Sequence, residues 1–254
     1  MISSLQQQML NCLCLGMLLS GCQTKPIPSD DYAQDGAPKY PKMVKFQQPQ
    51  PQNLPLSRYG NRAEYIVDGK TYAVMPSAKG YHERGVASWY GTKFHKHRTS
   101  SGEKYNMYQA TAAHKTLPLP TYVLVRNLEN GREAVVKVND RGPFHADRIL
   151  DLSYAAAKKL GIYQHGTAAV EVTAMSQSAL PAHYYIQAGA YSNPANAKAR
   201  QQQISSLIKQ KVNVIVDKGS YVVMLGPFKD SLITKKCEQN LAKNGIDNVF
   251  ALLR

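Results

Sequence analysis

The stretch that decides the interpretation of this chain is Val135-Val136-Lys137-Val138-Asn139-Asp140-Arg141-Gly142-Pro143-Phe144, and Arg148-Ile149-Leu150-Asp151-Leu152-Ser153 follows it closely. The valines favour a mostly buried β-strand, and Gly142-Pro143 cannot continue one. Asn139, Asp140 and Arg141 are therefore predicted at the end of a strand, on a rigid support and facing outward. Catalytic groups are often found at such positions. The carboxylate beside the arginine is either a structural turn pair or a working acid or base.

The composition predicts a globular protein of two modest domains with an unusual positive charge. The chain has 254 residues, 43% of them hydrophobic, and a formal net charge of +14. This charge suits a polyanionic partner or an anionic surface: nucleic acid, an acidic membrane face or acidic cell-wall polymer. The basic residues are spread along the chain without a Lys/Arg tract, so a polybasic nucleic-acid-binding arm is not predicted.

The chain begins with a predicted export leader. Residues 9–19 form an apolar core that is too short for a permanent bilayer span and typical of a signal peptide. The core ends in Leu19-Ser20-Gly21-Cys22, which resembles a bacterial lipobox, although no Lys or Arg precedes it. We expect residues 1–21 to be removed and Cys22 to be lipidated, while a generic cleaved signal with an incidental Cys22 is the alternative. Gln23 favours, by resemblance to Gram-negative lipoproteins, the outer membrane.

Residues 22–57 are predicted to be a tether. They are rich in Pro, Gln and charged residues and contain few clustered apolar residues. Such a composition is typical of an extended, solvated segment without a core. The tether would hold the globular part of the protein at a distance from the membrane, on its periplasmic side.

Residues 58–175 predict an all-β domain with one helix. Asp68-Gly69 between two strand-like segments indicates a hairpin with a type I′ turn. One helix is predicted from Leu152 to Leu160, with Asp151 or Ser153 as its N-cap and Gly161 after its end. Many short strands with one helix imply a closed or partly closed β-barrel. The other strands are expected at Gly85–Tyr90, Ala110–Ala113, Tyr122–Arg126, Ala134–Val138 and Val170–Thr173.

The pattern changes after a short polar linker at residues 176–180. Residues 181–254 show the order β-α-β-β-α-β, with helices predicted to begin at Asn193-Pro194 and at Ser231. This order implies an α+β ferredoxin-like domain, a small antiparallel sheet with both helices on one face. Cys237 is the one cysteine beyond Cys22, so the body of the protein forms no internal disulfide, and Cys237 is expected to be a small core residue.

Four ionisable side chains are predicted at the ends of elements in the first domain: Glu103, His114, Asp140 and Asp151. A barrel could bring them together at one rim. Cleavage of a glycosidic bond needs a proton for the leaving oxygen and stabilisation of an oxocarbenium-like transition state, and carboxyls in different environments supply both. Each residue also has a structural alternative. Glu103 would be a solvated turn residue, and His114 would be a histidine whose ring nitrogens are hydrogen-bonded within the protein. Asp140 would be a turn former and Asp151 a helix cap.

Metal and cofactor binding are not predicted. His95-Lys96-His97 could offer two imidazoles, but no cysteine or second histidine pair lies at ligand spacing.

Several motifs together resemble the rare lipoprotein A (RlpA) family. They are Gly85–Gly91, Thr99–Glu103, Thr111–Pro118, Val138–Pro143 and Asp151–Ala156. The resemblance implies a double-psi β-barrel over about residues 58–175 and an endolytic murein transglycosylase activity. Residues 181–254 resemble a SPOR domain, with marker strands at Tyr185–Tyr191 and Tyr221–Phe228. This second resemblance implies binding to glycan strands stripped of stem peptides, which accumulate at division septa.

The resemblance also implies roles for single residues in the barrel. Glu103, His114 and Asp140 match functional positions of the family, and Asp151 matches an aspartate that related barrels use at the start of this helix. We expect Asp140 to be the acid/base, with Glu103 and His114 orienting substrate or tuning charge, and Asp151 is its main rival. The acid protonates the oxygen between MurNAc and GlcNAc. The C6 hydroxyl of the same MurNAc then closes onto C1 and leaves a 1,6-anhydro end.

Substrate contacts are expected in both domains. Tyr90, Asn139 and Arg141 are the expected contacts in the barrel. Gln187 is expected to bind sugar on the open face of the SPOR-like sheet. Tyr185 and Tyr191 lie an even number of residues away along the strand, so they are expected on the same face and in the same groove.

The predicted function is therefore a septal outer-membrane lipoprotein that cuts peptide-free glycan. The alternative is a non-catalytic protein that binds or loosens murein on the same scaffold. The export signal argues against nucleic acid as a partner, and the sequence does not reveal partners among division proteins.

Overall fold

The computed structural model describes residues 35–38, 46–175 and 183–254. The predicted leader at residues 1–21, Cys22, the linker at residues 176–180 and much of the tether lie outside the described residues. No helix in these three ranges is both long and apolar enough to cross a membrane.

Within residues 46–175 the structure has eight strands and one helix. A hairpin of β1 and β2 comes first, and its turn has positive φ at both Asp68 and Gly69, as a type I′ turn requires. The elements are β1 (Glu64–Val67), β2 (Lys70–Ala73), β3 (His82–Tyr90), β4 (Thr111–His114), β5 (Thr121–Asn127), β6 (Glu133–Asp140), β7 (Arg148–Ser153), α1 (Tyr154–Leu160) and β8 (Ala168–Ala174).

Six of these strands form a closed barrel in the order β3-β7-β4-β6-β5-β8. The pairs β3–β7 and β4–β6 are parallel, and the other pairs are antiparallel. The interior is filled by alternate side chains of the strands, among them Val123, Val136, Leu150 and Val170, which are fully buried. The closed barrel confirms the predicted fold class of the first domain.

The strand β7 was missed by the sequence analysis, which placed Leu152 in a helix. Leu150 and Leu152 point into the barrel core and Asp151 between them does not, which is the alternation that a strand requires. The helix α1 begins only at Tyr154, and the Oγ of Ser153 caps it by accepting a hydrogen bond from the Ala156 amide at 3.2 Å. Of the two N-cap candidates, Ser153 is therefore confirmed, while Asp151 is a strand residue and caps no helix.

The second domain is a four-stranded antiparallel sheet with two helices. The elements are β9 (Tyr184–Tyr191), α2 (Pro194–Leu207), β10 (Val212–Asp217), β11 (Ser220–Phe228), α3 (Ser231–Lys243) and β12 (Phe250–Leu253), and the sheet order is β10-β11-β9-β12. Ile186 of β9, Ile204 of α2 and Leu241 of α3 share one hydrophobic cluster, so both helices cover the same face. The expected α+β arrangement is confirmed. Cys237 is a free thiol packed against this cluster.

Residues 57–63, which we name the strap, connect the barrel to the second sheet. The backbone of the strap extends the sheet beyond β12, because the Leu253 amide donates to Asn61 O at 2.8 Å and the Ala63 amide donates to Ala251 O at 3.0 Å. The buried side chain of Asn61 also accepts from the Leu119 amide at 2.8 Å and donates to Leu119 O at 2.7 Å. Asn61 therefore binds both domains at once.

The described parts of the predicted tether contact the barrel. Asp35 accepts hydrogen bonds from the amides of Gly91 and Lys93, at 3.0 and 3.1 Å, and Phe46 packs against the barrel core. These two parts are therefore less solvated than the composition of residues 22–57 indicates.

Candidate active site

One outer face of the barrel wall carries two aspartates in register. Ala113 of β4 pairs with Asp140 of β6 on one side and with Asp151 of β7 on the other. Asp151 pairs in turn with Ser88 of β3. Laterally paired residues project from the same face of a sheet, so the two aspartates flank Ala113 with their Cα atoms two strand spacings apart, roughly 9–10 Å.

A β-bulge at the end of β6 directs Asn139 toward the same side as Asp140. Ala112 pairs with Val138, but the next residue, Ala113, pairs with Asp140, so Asn139 is the extra residue of the bulge. Bulges change the direction of side chains and occur often beside active sites. As a result both Asn139 and Asp140 contact the loop of residues 99–103.

This loop holds Asp140 in one orientation. The amide and the hydroxyl of Ser100 donate to Asp140 Oδ1 at 2.8 and 2.7 Å, and the Arg141 amide donates to the same oxygen at 2.8 Å. Within the described ranges no hydrogen bond engages Oδ2 of Asp140. One carboxylate oxygen is therefore fixed, and the other is available to a ligand.

Glu103 closes the same loop against β6. Lys137 Nζ lies 2.9 and 2.8 Å from its two carboxylate oxygens, and Asn139 Nδ2 donates to Oε2 at 2.9 Å. Burial raises the pKa of Glu103, but the hydrogen bonds of Lys137 and Asn139 and the charge of Lys137 outweigh burial and lower the pKa below its usual value. Glu103 is therefore an anion that orients Lys137 and Asn139, and it is poorly suited to donate a proton.

The surroundings of Asp151 shift its pKa in the opposite direction to that of Glu103. Its side chain is 18% exposed, and burial raises its pKa, although the hydrogen bond of Ser88 and the charges of Arg148 and Lys115 oppose the rise. Ser88 Oγ donates to Asp151 Oδ1 at 2.5 Å, and Arg148 Nη1 donates to Ser88 Oγ at 2.6 Å. This carboxyl holds a proton more readily than an ordinary aspartate.

His114 does not join the carboxylates. Its side chain is buried, its Nδ1 accepts hydrogen bonds from the amides of Thr116 and Leu117 at 3.1 and 2.9 Å, and its Nε2 lies 2.8 Å from the hydroxyl of Tyr81. These contacts assign the ring proton to Nε2. Burial, followed by the charges of Arg141 and Lys115, lowers the pKa of His114 to about 3. The structure therefore favours the structural alternative, a satisfied neutral histidine.

Arg141, an expected substrate contact, is used inside the protein. Its Nε and Nη2 donate to Gly60 O at 3.0 and 2.7 Å, and its Nη1 donates to Leu117 O at 2.5 Å. The guanidinium thus joins the strap to the turn that follows His114. This engagement argues against the expected role of Arg141 in substrate binding.

Tyr90 also packs within the domain. It is 8% exposed, and its ring stacks on Tyr105 with centroids 4.2 Å apart. Tyr90 therefore forms part of the support beneath the carboxylates, and its packing argues against the expected stacking on a sugar. Asn139, the third expected contact, is buried, and its Nδ2 donates to Glu103.

The expected glycan contacts of the second domain fall into two groups. Gln187 pairs with Phe250, and Tyr185 pairs with Leu252, on the sheet face opposite to the helices. A bulge shifts the register between β9 and β11 after Gln187, and the ring of Tyr191 lies against Gly189 and packs with the core cluster. Because of this bulge, Tyr191 does not follow the alternation that was expected to place it on the same face as Gln187.

Comparison with known proteins agrees with this architecture. The family model of the lytic transglycolase barrel matches residues 82–172, and the SPOR domain model matches residues 180–250. The endolytic peptidoglycan transglycosylase RlpA of Vibrio cholerae is 40% identical over 249 residues, which are 94% of this chain and 94% of that protein. The chain belongs to the RlpA family.

Other RlpA relatives match over a shorter range. The protein of that name from Pseudomonas aeruginosa strain UCBPP-PA14 is 45% identical over 188 residues, 68% of this chain and 53% of its own length. The crystal structure of the SPOR domain of P. aeruginosa RlpA covers 27% of this chain and 96% of that chain, with 19% identity and a TM-score of 0.26, which is too low to support an argument.

Three residues around the carboxylates of this RlpA-family barrel were not predicted to belong to the site: Ser88, Ser100 and Lys137. Ser88 and Ser100 lie within quoted family motifs, so a polar residue in a buried strand and a hydroxyl beside a glycine turn were the available signals. Lys137 was read only as part of the valine strand. In the part of the chain that the structure describes, no group of three or more His, Cys, Asp or Glu is placed to hold a metal ion.

We expect His114 to make folding stability depend on pH. The unfolded ring takes up a proton below its ordinary pKa of 6.5, whereas the folded ring stays neutral down to about pH 3, so stability falls as the pH drops across this window. The loss is at most about 5 kcal/mol for this residue. In denaturant titrations at pH 7 and pH 4, His114→Asn should reduce the difference between the two free energies of unfolding. The exposed His165→Asn is the control and should leave the difference unchanged.

We expect Ser88→Ala to raise the pKa of Asp151 further, because the substitution removes a charge-assisted hydrogen bond that lowers it. Carbon-detected NMR titration of the carboxyl measures this shift directly. Ser88→Thr keeps the hydroxyl and should leave the pKa close to that of the original protein. An unchanged pKa in Ser88→Ala would show that the hydrogen bond does not control the carboxyl.

Proposed function

We propose that this RlpA-family chain is a peptidoglycan lytic transglycosylase that cleaves the MurNAc–GlcNAc bond within glycan strands and leaves 1,6-anhydroMurNAc ends. The observation that carries the proposal is the placement of Asp140 and Asp151 on one outer face, on either side of Ala113. The names of the relatives, endolytic peptidoglycan transglycosylases, give the same reaction class.

The two aspartates divide the chemistry of this reaction. Asp151, whose pKa is raised by burial, donates its proton to the bridging oxygen as the bond from that oxygen to C1 of MurNAc breaks. The positive charge that develops at C1 and the ring oxygen is stabilised by the carboxylate of Asp140. The C6 hydroxyl of the same MurNAc attacks C1 and returns its proton to Asp151. No water is consumed, and both carboxyls end in their starting protonation states.

This division reverses the order expected from the sequence, in which Asp140 was preferred as the acid. Asp140 Oδ1 accepts two backbone amide hydrogen bonds and one hydroxyl hydrogen bond, which suits a fixed carboxylate. Asp151 accepts one hydrogen bond, from Ser88, and burial raises its pKa. The environment of Asp151 therefore favours the proton-carrying role.

The second domain supplies targeting in this proposal. Gln187 and Tyr185 lie on the open face of the SPOR sheet, where a peptide-free glycan strand from the division septum would bind. Lipidation at Cys22 would anchor the protein to the outer membrane, facing the periplasm. The SPOR match supports binding to peptide-free strands and enrichment at the septum. The lipobox-like sequence supports the lipid anchor.

A second candidate function is murein binding without cleavage. It is favoured by one observation: each aspartate is already engaged by hydrogen bonds within the protein, as in a fixed carbohydrate-binding surface. The chemical test of cleavage separates the two functions.

Asp151→Asn should lower the rate of anhydro-end formation by about 10²–10⁴-fold, because asparagine cannot carry the proton. Asp140→Asn should lower the rate as well, since it removes the stabilising charge. Incubation of the full chain with peptide-free strands, followed by mass spectrometry of the products, measures both rates, and thermal unfolding verifies that the variants fold. An active Asp151→Asn variant beside an inactive Asp140→Asn variant would reverse the two roles. Absence of anhydro ends with the unsubstituted protein would favour the binding function.

Gln187→Ala should reduce enrichment of the protein at septa while the rate of cutting at saturating glycan stays within about twofold, because the side chain lies on the sheet face away from the core and outside the barrel. Fluorescence microscopy of tagged full-length protein measures the enrichment. A point substitution is preferable to removal of the domain, since the strap pairs with β12. Gln202→Ala on the exposed surface of α2 is the matched control. Full septal enrichment of Gln187→Ala would contradict the assignment of the sheet face.

A further inference from the structure

A cavity of about 250 Å³ lies between the strap and the open face of the SPOR sheet. Residues 58–62 of the strap line one side, and Gln187, Phe250 and Arg254 are among the residues that line the other. The cavity therefore depends on both domains, because the strap is held to the barrel by Asn61.

Three arginines and one acidic side chain line this cavity. Arg58 Nε and Arg254 Nη2 lie 3.2 and 3.1 Å from the same oxygen of Asp217. Arg62 lies over the ring of Phe250, 4.4 Å from its centroid, and forms no ion pair within the described ranges. The cavity lining thus has an excess of two positive charges. A neutral ligand would gain nothing from this excess, whereas an anionic ligand would be attracted.

The other lining groups suit a sugar. Gln187 offers an amide that donates and accepts hydrogen bonds, and Phe250 and the half-exposed Tyr59 offer aromatic rings. The combination of arginine, amide and aromatic side chains fits a saccharide that carries carboxylates. Guanidinium groups bind carboxylates through paired hydrogen bonds.

A peptide-free glycan strand has this chemistry. The lactyl group of each MurNAc ends in a free carboxylate when no stem peptide is attached. When a stem peptide is present, the same carbon is part of a neutral amide, and the charge is lost. An arginine-rich cavity can therefore distinguish the two kinds of strand by charge as well as by size.

The strap also leads from this cavity toward the carboxylates of the barrel. A second cavity, of about 280 Å³, shares Gly60 and Arg62 with the first and is lined by Ser100 and Phe144 as well. Ser100 holds Asp140 through two hydrogen bonds. A glycan strand bound over the strap would thus continue along the protein surface toward Asp140.

We propose that Arg58 and Arg62 of the strap complete, together with Gln187 and Phe250 of the SPOR sheet, a binding site for the lactyl carboxylates of peptide-free MurNAc. This proposal rests on the proposed glycan binding by the SPOR domain. The strap then selects strands that lack stem peptides, and it belongs to the barrel side of the chain rather than to the SPOR domain itself.

The test compares two ligands and matched variants of the full chain. The first ligand is a fluorescently labelled peptide-free glycan oligomer, and the second is the same oligomer with its lactyl carboxylates converted to methyl amides. The unsubstituted protein should bind the amide form about tenfold more weakly, from the loss of charge-assisted hydrogen bonds. The double variant Arg58→Gln/Arg62→Gln should bind both forms equally, at about the weaker affinity. Arg126→Gln, on the barrel surface beside Glu133, is the control and should behave as the unsubstituted protein.

Two further variants keep the outcome interpretable. Arg62→Gln leaves the Arg58–Asp217 ion pair intact, so it should fold normally and lose about threefold in affinity for the carboxylate form alone. Equal binding of both ligands by the unsubstituted protein, or full discrimination by the double variant, would overturn the proposal for the strap. Gln187→Ala separates this failure from a failure of the proposed function: weakened binding of both ligands would preserve glycan binding by the SPOR sheet. Binding of neither ligand by the unsubstituted protein would reject both proposals.

Discussion

The alternation of side chains in the barrel wall is the constraint on which the site depends. Leu150 and Leu152 must point inward to fill the barrel, so Asp151 between them must point outward. The same wall places Ala113 next to Asp151 and next to Asp140. Ala113, between the two aspartates, is buried and packs with Tyr90, Tyr105 and Tyr154. The site is thus a consequence of filling the core, with one bulge at Asn139 as a local adjustment.

Much of the fold could be predicted from the sequence, because its signals are local. The Asp68-Gly69 turn, the helix stop at Gly161 and the β-α-β-β-α-β order of the second domain all follow from short-range patterns. The strand β7 could not be recognised, since Ile149 to Ser153 is short, contains a buried carboxyl and runs directly into a helix. Periodicity alone does not separate a short apolar strand from the first turn of a helix.

The site was predicted less completely, because the fate of a polar side chain depends on distant partners. Asp140 was expected at the end of a strand and lies there, whereas Asp151 lies within β7 and comes near Asp140 through the register of both strands with β4. His114 and Arg141 are directed elsewhere by backbone groups: the amides of Thr116 and Leu117 hold one, and the carbonyl of Gly60 holds the other. Gly60 is 81 residues away from Arg141, and no sequence pattern indicates that contact.

The strap connects the hydrogen bonds of Arg141 to the SPOR sheet. Arg141 follows Asp140 directly, and its guanidinium holds Gly60, whose neighbour Asn61 pairs with β12 of the SPOR sheet. A displacement of the SPOR sheet would therefore be transmitted through Gly60 to Arg141, the residue next to Asp140. Burial lowers the pKa of Arg141 to about 10. Hydrogen bonds to carbonyl oxygens, rather than an ion pair, offset the free-energy cost of burying the guanidinium. The guanidinium thereby links the SPOR sheet and the strand end that carries Asp140 in one connected set of hydrogen bonds.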